Sequence, residues 1–381
     1  MRTVLINGRV LTGDLLREDV AVVLDGDRIA DVVAAAAAPD GPRVDLDGGT
    51  LLPGFIDTQV NGGGGVLFND EPTVEGIGAI AAAHRRFGTT GFLPTLISDD
   101  LDVIDRAMRA VEAAMEQGVP GVLGIHIEGP YLSARRRGIH SLDHLRDLDE
   151  EGLALLTSLN KGRTLVTVAP EAATPAMIGR LAAAGVVVAI GHTNAGYDEA
   201  RRALDAGASG VTHLFNAMSQ LGNREPGVVG AALDDPNCWC GLIVDGRHVH
   251  DATLKIALRA RPLDRFMLVT DAMPSVGMTD KVFLLNGRRI TVQDGVCMDA
   301  HGTLAGADLD MASAVRNAVD RLGLTLPQAA FMASAAPAAF MGLSDQRGRI
   351  EAGLMADLVL LDDGGRPVRT WIRGHAENGR G

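Results

Sequence analysis

Hydrophobic and polar residues alternate over short distances in the first 50 residues, and this pattern differs from the rest of the chain. β-Branched runs at Val4–Ile6, Val20–Leu24 and Arg28–Val33 are separated by the turn sequences Asn7-Gly8 and Asp25-Gly26-Asp27. Apolar runs bounded by such residues predict short strands. No helix of useful length fits between them, so we expect the chain to begin with a small β domain.

From Leu51 onward, short apolar runs alternate with alanine-rich stretches that have the period of an amphipathic helix. The predicted strands are Leu51–Val60, Gly91–Leu96, Val122–Glu128, Thr164–Ala169, Val186–His192, Gly210–Phe215, Trp239–Val244 and Phe266–Thr270. The helices predicted between them include Val74–Phe87, Leu101–Gln117, Pro175–Ala184, Asp198–Ala206 and Ala252–Ala260. Eight repeated βα units over about 250 residues are typical of a (β/α)8 barrel of the TIM type.

A doubly wound open sheet is the rival α/β fold. Such sheets often carry a glycine-rich phosphate loop after the first strand. The glycine-rich segment Gly62–Gly65 lacks the required spacing, and no helix begins directly after it. We therefore interpret it as a flexible loop and favour the barrel.

The last hundred residues depart from the βα repeat. Val282–Leu285 and Arg289–Val292 flank Asn286-Gly287, which predicts a two-residue hairpin turn. Helices are expected at Met311–Leu322 and Pro327–Met341.

The chain also ends in predicted strands, at Gly348–Ile350 and Ala356–Leu361. Because both ends are β-rich, we expect residues 1–52 and 345–381 to build one small β-sandwich domain. Residues 53–344 would then form the catalytic barrel.

Charge and cysteine content exclude some classes of partner. The chain has 35 Lys and Arg against 48 Asp and Glu, and its net charge of −13 would repel nucleic acid. Three cysteines give no disulfide framework, and the spacing of Cys238 and Cys240 differs from that of common zinc sites, so we interpret them as small buried residues. The sequence has neither a signal peptide nor an apolar run long enough to cross a bilayer. These features predict a cytoplasmic protein with no nucleic-acid or membrane partner.

Polar residues gather at the ends of the predicted barrel strands, where the catalytic groups of such barrels lie. They are Asp57, Gln59 and Asn61 (strand one), Glu128 (three), His192 (five), His213 and Asn216 (six), His248 (beyond seven) and Asp271 (eight). Carboxylates and imidazoles are the ligands of zinc and similar metals. Each residue alone has a structural explanation, such as a buried ion pair, a core histidine or a turn cap. Their joint position favours a metal-dependent catalytic site.

Seven short strings in the chain stand out as motifs: Pro53-Gly-Phe-Ile-Asp57, His126-Ile-Glu-Gly-Pro130, Gly191-His-Thr-Asn194, Thr212-His-Leu-Phe-Asn-Ala-Met218, Arg224-Glu-Pro-Gly227, Asp245-Gly-Arg-His248 and Thr270-Asp-Ala-Met273. They resemble motifs of the amidohydrolase superfamily and, within it, of the N-acetylglucosamine-6-phosphate deacetylases. The segments 348–353 and 356–360 resemble the family's closing strands. The match runs over nearly the whole chain.

The resemblance implies specific roles. Glu128, His192 and His213 would hold the catalytic metal, Asp271 would be the acid/base, and His140 would contact the sugar and the polarised carbonyl. Substrate contacts are implied for Gln59, Asn61, Ile139, His140, Asn216, Ala217, Ala305 and Gly306, and phosphate contacts for Arg224 and His248. In this family the residue at the Arg224 position reaches across a dimer interface, so a homodimer is expected.

One departure concerns the number of metal ions. Many amidohydrolases carry His-x-His after strand one to hold a second metal, whereas this chain has Gln59 and Asn61. Neutral amides are poor zinc ligands, so we expect one divalent ion per subunit, zinc first, with iron, manganese or cobalt as alternatives. The two amides could instead simply bond loop backbone, which is compatible with a single metal.

The resemblance implies hydrolysis of N-acetylglucosamine 6-phosphate to glucosamine 6-phosphate and acetate, in amino-sugar catabolism. The alternatives are the N-acetylgalactosamine epimer, another N-acetylated sugar phosphate, a cyclic-amide hydrolase, and a non-catalytic protein on the same scaffold. Cyclic-amide hydrolases usually carry His-x-His and a bridging lysine, and no lysine lies at a predicted strand end here. A non-catalytic relative should have lost metal ligands or the strand-eight aspartate, and all four residues are present.

Overall fold

The computed structural model of the chain describes residues 2–378, and residues 2–53 form short strands joined by turns. They are β1 (Arg2–Ile6), β2 (Arg9–Thr12), β3 (Leu15–Arg17), β4 (Val20–Asp25), β5 (Arg28–Ala34), β6 (Arg43–Asp45) and β7 (Thr50–Pro53), with a 3-10 turn at Ala35–Ala37. β1 pairs antiparallel with β4 and parallel with β6. The β-rich beginning predicted from the sequence is confirmed.

Eight parallel strands then form one sheet in the order β8-β11-β12-β13-β14-β15-β16-β17. The strands of this region are β8 (Phe55–Val60), β9 (Gly62–Gly63), β10 (Val66–Leu67), β11 (Thr89–Ile97), β12 (Gly124–Glu128), β13 (Arg163–Val168), β14 (Val187–Ile190), β15 (Gly210–Val211), β16 (Trp239–Leu242) and β17 (Phe266–Leu268). The predicted (β/α)8 barrel is confirmed.

Helices follow most barrel strands and cover the outside of the sheet. They are α1 (Val74–Arg85), α2 (Leu101–Glu116), α3 (Glu150–Leu156), α4 (Pro175–Ala183), α5 (Tyr197–Asp205), α6 (Gly227–Asp234) and α7 (Asp251–Ala260), with 3-10 turns at Ala134–Arg136, Leu142–His144 and Leu263–Arg265. Local sequence explains where they begin: the Thr73 hydroxyl accepts from Gly76 N–H, and the Thr174 hydroxyl accepts from Met177 N–H.

The first predicted strand, Leu51–Val60, was wrong as a single element. The chain breaks at Gly54, so that Thr50–Pro53 joins the small domain and Phe55–Val60 begins the barrel. A Cβ at Gly54 would lie 2.2 Å from the Thr90 hydroxyl oxygen, so only glycine allows the backbone at residue 54 to approach Thr90 this closely.

The Gly62–Gly65 segment also differs from the flexible loop expected from its composition. β9 and β10 pair antiparallel and form a tight hairpin. A Cβ at Gly62 would lie 2.3 Å from the Val66 carbonyl oxygen, so the glycine permits this close backbone contact.

After β17 the chain forms a four-stranded insert of β18 (Val282–Leu285), β19 (Arg288–Gln293), β20 (Val296–Met298) and β21 (Leu304–Ala307). Asn286 and Gly287 have φ of 51° and 71°, which confirms the predicted hairpin turn. The last two strands of the insert were not predicted.

Three helices follow the insert: α8 (Met311–Asp320), α9 (Leu326–Ala333) and α10 (Ala335–Phe340). The single helix predicted at Pro327–Met341 was wrong, because the chain leaves the helical conformation at Ser334, with φ −137° and ψ −71°. Pro337 has no N–H and its ring would clash with a continuous helix, so a new helix starts just before it.

The C-terminal strands β22 (Leu358–Leu361), β23 (Pro367–Ile372) and β24 (His375–Asn378) complete the small domain. β22 pairs antiparallel with β7, so both ends of the chain share one sheet, in the order β24-β23-β22-β7-β2-β3. A second sheet, β5-β4-β1-β6, packs against it through Leu5 and Val22, which share a buried cluster with Leu358 and Trp371.

The predicted sandwich of the two termini is therefore confirmed, although Gly348–Ile350 forms bends instead of the predicted strand. The boundaries at 52/53 and 344/345 stand as our proposal for the domain division. Among residues 2–378, no helix is both long and apolar enough to span a bilayer.

Candidate active site

Three buried side chains converge at the C-terminal ends of β12, β14 and β15. Glu128 Oε1 lies 3.0 Å from His213 Nε2 and 3.3 Å from His192 Nε2, and the two Nε2 atoms are 3.0 Å apart. Ligand atoms around one tetrahedral metal ion at about 2.0–2.2 Å lie roughly 3.3–3.6 Å from each other. The three atoms therefore face a common point at a spacing close to that of a metal centre.

The hydrogen bond at Nδ1 of His192 fits a metal ion at this point. His192 Nδ1 lies 3.0 Å from the Arg136 carbonyl oxygen, which only accepts, so Nδ1 carries a proton and the neutral ring presents a lone pair at Nε2. This lone pair faces the Glu128 carboxylate, and two acceptors at 3.3 Å need a cation between them. Burial alone would raise the pKa of Glu128, but the adjacent His192 and His213 hold it well below its usual range, so the carboxylate is charged and can serve as a metal ligand.

Backbone conformation directs these side chains. His192, His213 and Asp271 each follow a short barrel strand, and their φ angles of 46°, 33° and 53° lie in the left-handed region. Residues other than glycine adopt this region at a cost of about 1–3 kcal/mol, and such positions cluster at functional sites. The turn out of each strand thus aims the side chain across the barrel mouth.

His140 lies beside the three residues, with a ring nitrogen within 4.8 Å of ligand atoms of Glu128 and His192. On distance alone it is a further candidate ligand, but its hydrogen bonds argue otherwise. The Ser98 backbone N–H donates to Nδ1 at 3.2 Å, so the proton of the neutral ring is on Nε2. Burial and the adjacent His192 lower the pKa of His140 to about 3. His140 is therefore a neutral hydrogen-bond donor.

Asp271 is held by the two amides that follow β8. Its Oδ1 accepts from Asn61 Nδ2 at 2.7 Å and from Gln59 Nε2 at 3.1 Å, and the Gln59 amide also donates to Glu128 Oε1 at 3.0 Å. The alternative that these amides bond only loop backbone was wrong, since both contact carboxylates. Burial and the nearby Glu128 carboxylate raise the pKa of Asp271 to about 6.

His248 lies on the loop after β16 and is fixed by Asp245. Its Nδ1 lies 2.6 Å from Asp245 Oδ2, and the side chains are only 4% and 5% exposed. Asp245 Oδ1 also accepts from the backbone N–H groups of Arg247 and His248. Nδ1 therefore carries a proton, and the ring is oriented by the carboxylate.

These groups surround a cavity of about 130 Å³. Its walls include Asn61, Glu128, Ile139, His140, His192, His213, Asn216, Ala217, His248, Asp271, Ala305 and Gly306. Gln59 lies beneath the cavity through its bonds to Glu128 and Asp271. Ala305 and Gly306 come from β21, so the insert forms one wall.

Arg224, unlike the other residues predicted to contact the substrate, neither lines this cavity nor bonds to a residue that does so within the described part of its own chain. It is exposed and falls in the loop before α6. This loop is ordered by Glu225, whose carboxylate accepts from the backbone N–H groups of Tyr197 and Gly227.

Two acidic residues near the site received no role from the sequence. Asp57 is fully buried, and burial, opposed by hydrogen bonds from Thr270, raises its pKa to about 7. Asp245 fixes His248. Both stand within the motif strings, but a motif does not show which of its members touches a neighbouring strand.

Comparison with known proteins agrees with this geometry. Residues 50–376 match the Amidohydrolase family. The chain is 45% identical to an N-acetylgalactosamine-6-phosphate deacetylase of Shewanella sp. (strain ANA-3), over 96% of this chain and 93% of that one. It is 35% identical to an N-acetylglucosamine-6-phosphate deacetylase of Haemophilus influenzae, over 98% and 99%. The crystal structure of N-acetylglucosamine-6-phosphate deacetylase from Pasteurella multocida superposes with a TM-score of 0.96 at 33% identity, covering 99% of this chain and 100% of that one. The chain therefore belongs to the amidohydrolase family.

Proposed function

We propose that the protein hydrolyses the acetamide of N-acetylglucosamine 6-phosphate, giving glucosamine 6-phosphate and acetate. The observation that carries the proposal is the convergence of Glu128, His192, His213, His140 and Asp271 around one cavity at the barrel mouth. The names of the relatives support the substrate class. The role is one in amino-sugar catabolism.

Glu128, His192 and His213 would hold one divalent ion per subunit, with zinc as the first expectation and iron, manganese or cobalt as alternatives. One carboxylate and two imidazoles are a usual ligand set for zinc. When bound, the ion polarises a carbonyl and lowers the pKa of water towards about 7. The amides of Gln59 and Asn61 are engaged with carboxylates, which supports a single ion.

Asp271 would act as the acid/base. Its carboxylate faces the cavity beside Glu128, and Asn61 and Gln59 both hold Oδ1. With one oxygen fixed by two amides, the other is left to take the proton of the attacking water and to pass it to the departing amine.

His140 would stabilise the negative charge that develops on the carbonyl oxygen. Ser98 fixes the ring so that Nε2–H is the donor. The ring is neutral, so the donor is present throughout the ordinary pH range. Preorganised donors of this kind contribute about 3–4 kcal/mol to transition-state stabilisation.

His248 and Arg224 would bind the 6-phosphate. His248 lines the cavity with its ring fixed by Asp245, and Arg224 is an exposed arginine on an ordered loop. Because Arg224 does not line the cavity of its own chain, we propose that it serves the partner subunit of a homodimer. Asn216, Ala217, Ile139, Ala305 and Gly306 would contact the sugar.

N-acetylgalactosamine 6-phosphate is a second candidate substrate. The relative that is 45% identical carries that name, whereas the N-acetylglucosamine enzyme of Haemophilus influenzae is 35% identical. The two sugars differ in one hydroxyl configuration, and both present the same acetamide and phosphate to the groups described above.

The test is acetate release by the metal-loaded protein from both N-acetylhexosamine 6-phosphates and both unphosphorylated sugars. We expect the highest kcat/KM on N-acetylglucosamine 6-phosphate and only weak activity without phosphate. A higher kcat/KM on the galactosamine compound would select the second candidate. Absence of acetate from all four sugars would reject the proposed function.

A cytoplasmic location is part of the same proposal. Cys238, Cys240 and Cys297 are buried and free. Unpaired cysteines and a sugar-phosphate substrate both fit a reducing compartment.

A further inference from the structure

The junction between the first and last barrel strands, β8 and β17, is bonded differently from the other seven junctions of the barrel. Seven neighbouring strand pairs are joined by backbone ladders, but in the described residues the junction between β8 and β17 has only the isolated bridge of Val60 with Ala272. The N–H groups of Asn61 and Gly62 add two bonds to the Ala272 carbonyl, at 2.9 and 3.0 Å. This junction, which we call the seam, contains Asp271.

Asp57, which precedes Val60 along β8, connects the two sides of the seam where the described residues form no backbone ladder. Its Oδ1 accepts from the backbone N–H of Thr270 at 3.3 Å and from that of Gln59 at 3.2 Å. Its Oδ2 accepts from the Thr270 hydroxyl at 2.5 Å. A fully buried carboxylate is costly unless donors surround it, and here three donors do so. One side chain of β8 thus bonds directly to the residue before Asp271.

Thr270 connects Asp57 to the turn that contains Asp271. Its hydroxyl donates to Asp57 and accepts from the Ala272 N–H at 3.2 Å, so it bonds residues on both sides of the turn. The Asp271 carbonyl accepts from Ala307 N–H at 2.9 Å. With φ at 53°, Asp271 occupies a strained conformation, and such conformations persist only where surrounding bonds determine them.

We propose that Asp57 is a positioning residue that, through Thr270 and Gln59, sets the direction of the Asp271 carboxylate. The inference rests on the proposed function, in which Asp271 is the acid/base. None of the hydrogen bonds of Asp57 in the described residues goes to Glu128, His192 or His213. Loss of Asp57 should therefore reduce kcat without removing the metal.

The experiment compares metal-loaded wild type with Asp57→Asn, Thr270→Val, the double variant and Thr270→Ser. The measurements are kcat and KM for acetate release from N-acetylglucosamine 6-phosphate, metal content and Tm. Asp57→Asn and Thr270→Val should each lower kcat about 10- to 100-fold, as losses of orienting partners do. KM should change less than about threefold, because the substrate contacts are intact.

The double variant should be no worse than the worse single variant, because both changes break one linkage. Thr270→Ser keeps the hydroxyl and should keep the wild-type kcat. Thr167→Val is the matched control: Thr167 is an equally buried barrel threonine that bonds His126 and Thr212, so its kcat should be unchanged.

A kcat of Asp57→Asn within about twofold of wild type would overturn the inference, as would an equal loss in Thr167→Val or a loss of bound metal. If Asp57→Asn does not fold, the difference in kcat between Thr270→Val and Thr270→Ser tests the inference: equal kcat values in the two variants would overturn it. A wild type that releases no acetate would overturn both the proposed function and this inference. An active wild type with unaffected variants would overturn this inference alone.

Discussion

The two ends of the barrel contain cavities that differ in size and in chemistry. The cavity at the N-terminal ends of the strands measures about 610 Å³, and its walls include Leu11, Trp239 and Phe331. The cavity at the C-terminal ends measures only about 130 Å³ but holds the convergent carboxylates and imidazoles. Volume alone would select the wrong end, because catalytic groups of such barrels come from the C-terminal ends of the strands.

Backbone strain separates the two ends in the same way. His192, His213 and Asp271 have left-handed φ angles where the chain leaves the strands. No residue other than glycine that lines the larger cavity has a left-handed φ among residues 2–378. Among the non-glycine residues that line the two cavities, this conformation therefore occurs only at the C-terminal end, where side chains must be aimed at the site.

The largest expected effect is at the catalytic end. Asp271→Asn should lower kcat by about 10²–10⁴-fold, because an amide of the same shape cannot take a proton from water. The amides of Asn61 and Gln59 still have an oxygen to bond, so the fold and the metal content should be retained. Steady-state kinetics on the metal-loaded variant is the measurement. Near-normal turnover would mean that another residue is the base.

A smaller and more selective effect is expected at Arg224. Losing a charge-assisted bond to phosphate costs about 1.5–3 kcal/mol, so Arg224→Ala should lower kcat/KM for the phosphorylated sugar by about one to two decades. Unphosphorylated N-acetylglucosamine should be unaffected. Arg106→Ala, a change at an exposed arginine on α2, is the control. Equal losses on both sugars would contradict phosphate recognition, and a fully active monomer would contradict the shared site.

The smallest effect is expected at the opposite end of the barrel. The Arg265 guanidinium lies 4.5 Å from the Trp239 ring centroid, and both residues line the larger cavity. Arg265→Ala should lower the free energy of unfolding by about 0.5–1 kcal/mol and leave kcat unchanged, whereas Arg265→Lys should keep most of the stability. Denaturant unfolding measures the first quantity. A fall in kcat would mean that the two ends are coupled.

The parts of the fold that depend on local sequence patterns, such as helix starts and tight turns, were predictable from the sequence. Helix starts at Val74 and Pro175 follow capping threonines, and the hairpin follows Asn286-Gly287. The break at Gly54 depends on contact with Thr90, and the restart after Ser334 interrupts an apolar run of uniform pattern. The contact of Gly54 with Thr90 is long-range and leaves no periodic signal, whereas the break at Ser334 has a local cause at Pro337 that the prediction of one continuous helix overlooked.

The residues around the cavity could be identified because barrel topology brings strand ends together and the motifs mark them. The hydrogen bonds between these residues could not be predicted from the sequence. The sequence does not indicate that Gln59 bridges Glu128 and Asp271, or that Ser98 fixes the tautomer of His140. These bonds depend on side-chain directions set by left-handed turns and by the seam, which only the three-dimensional arrangement contains.

The central claim is a single metal ion held by Glu128, His192 and His213, on which deacetylation depends. The most direct measurement is metal content per chain together with acetate release during removal and return of the metal. We expect one ion per chain, loss of activity with retained fold after chelation, and recovery on addition of one equivalent. Two tightly bound ions per chain, or full activity in the metal-free protein, would contradict the account.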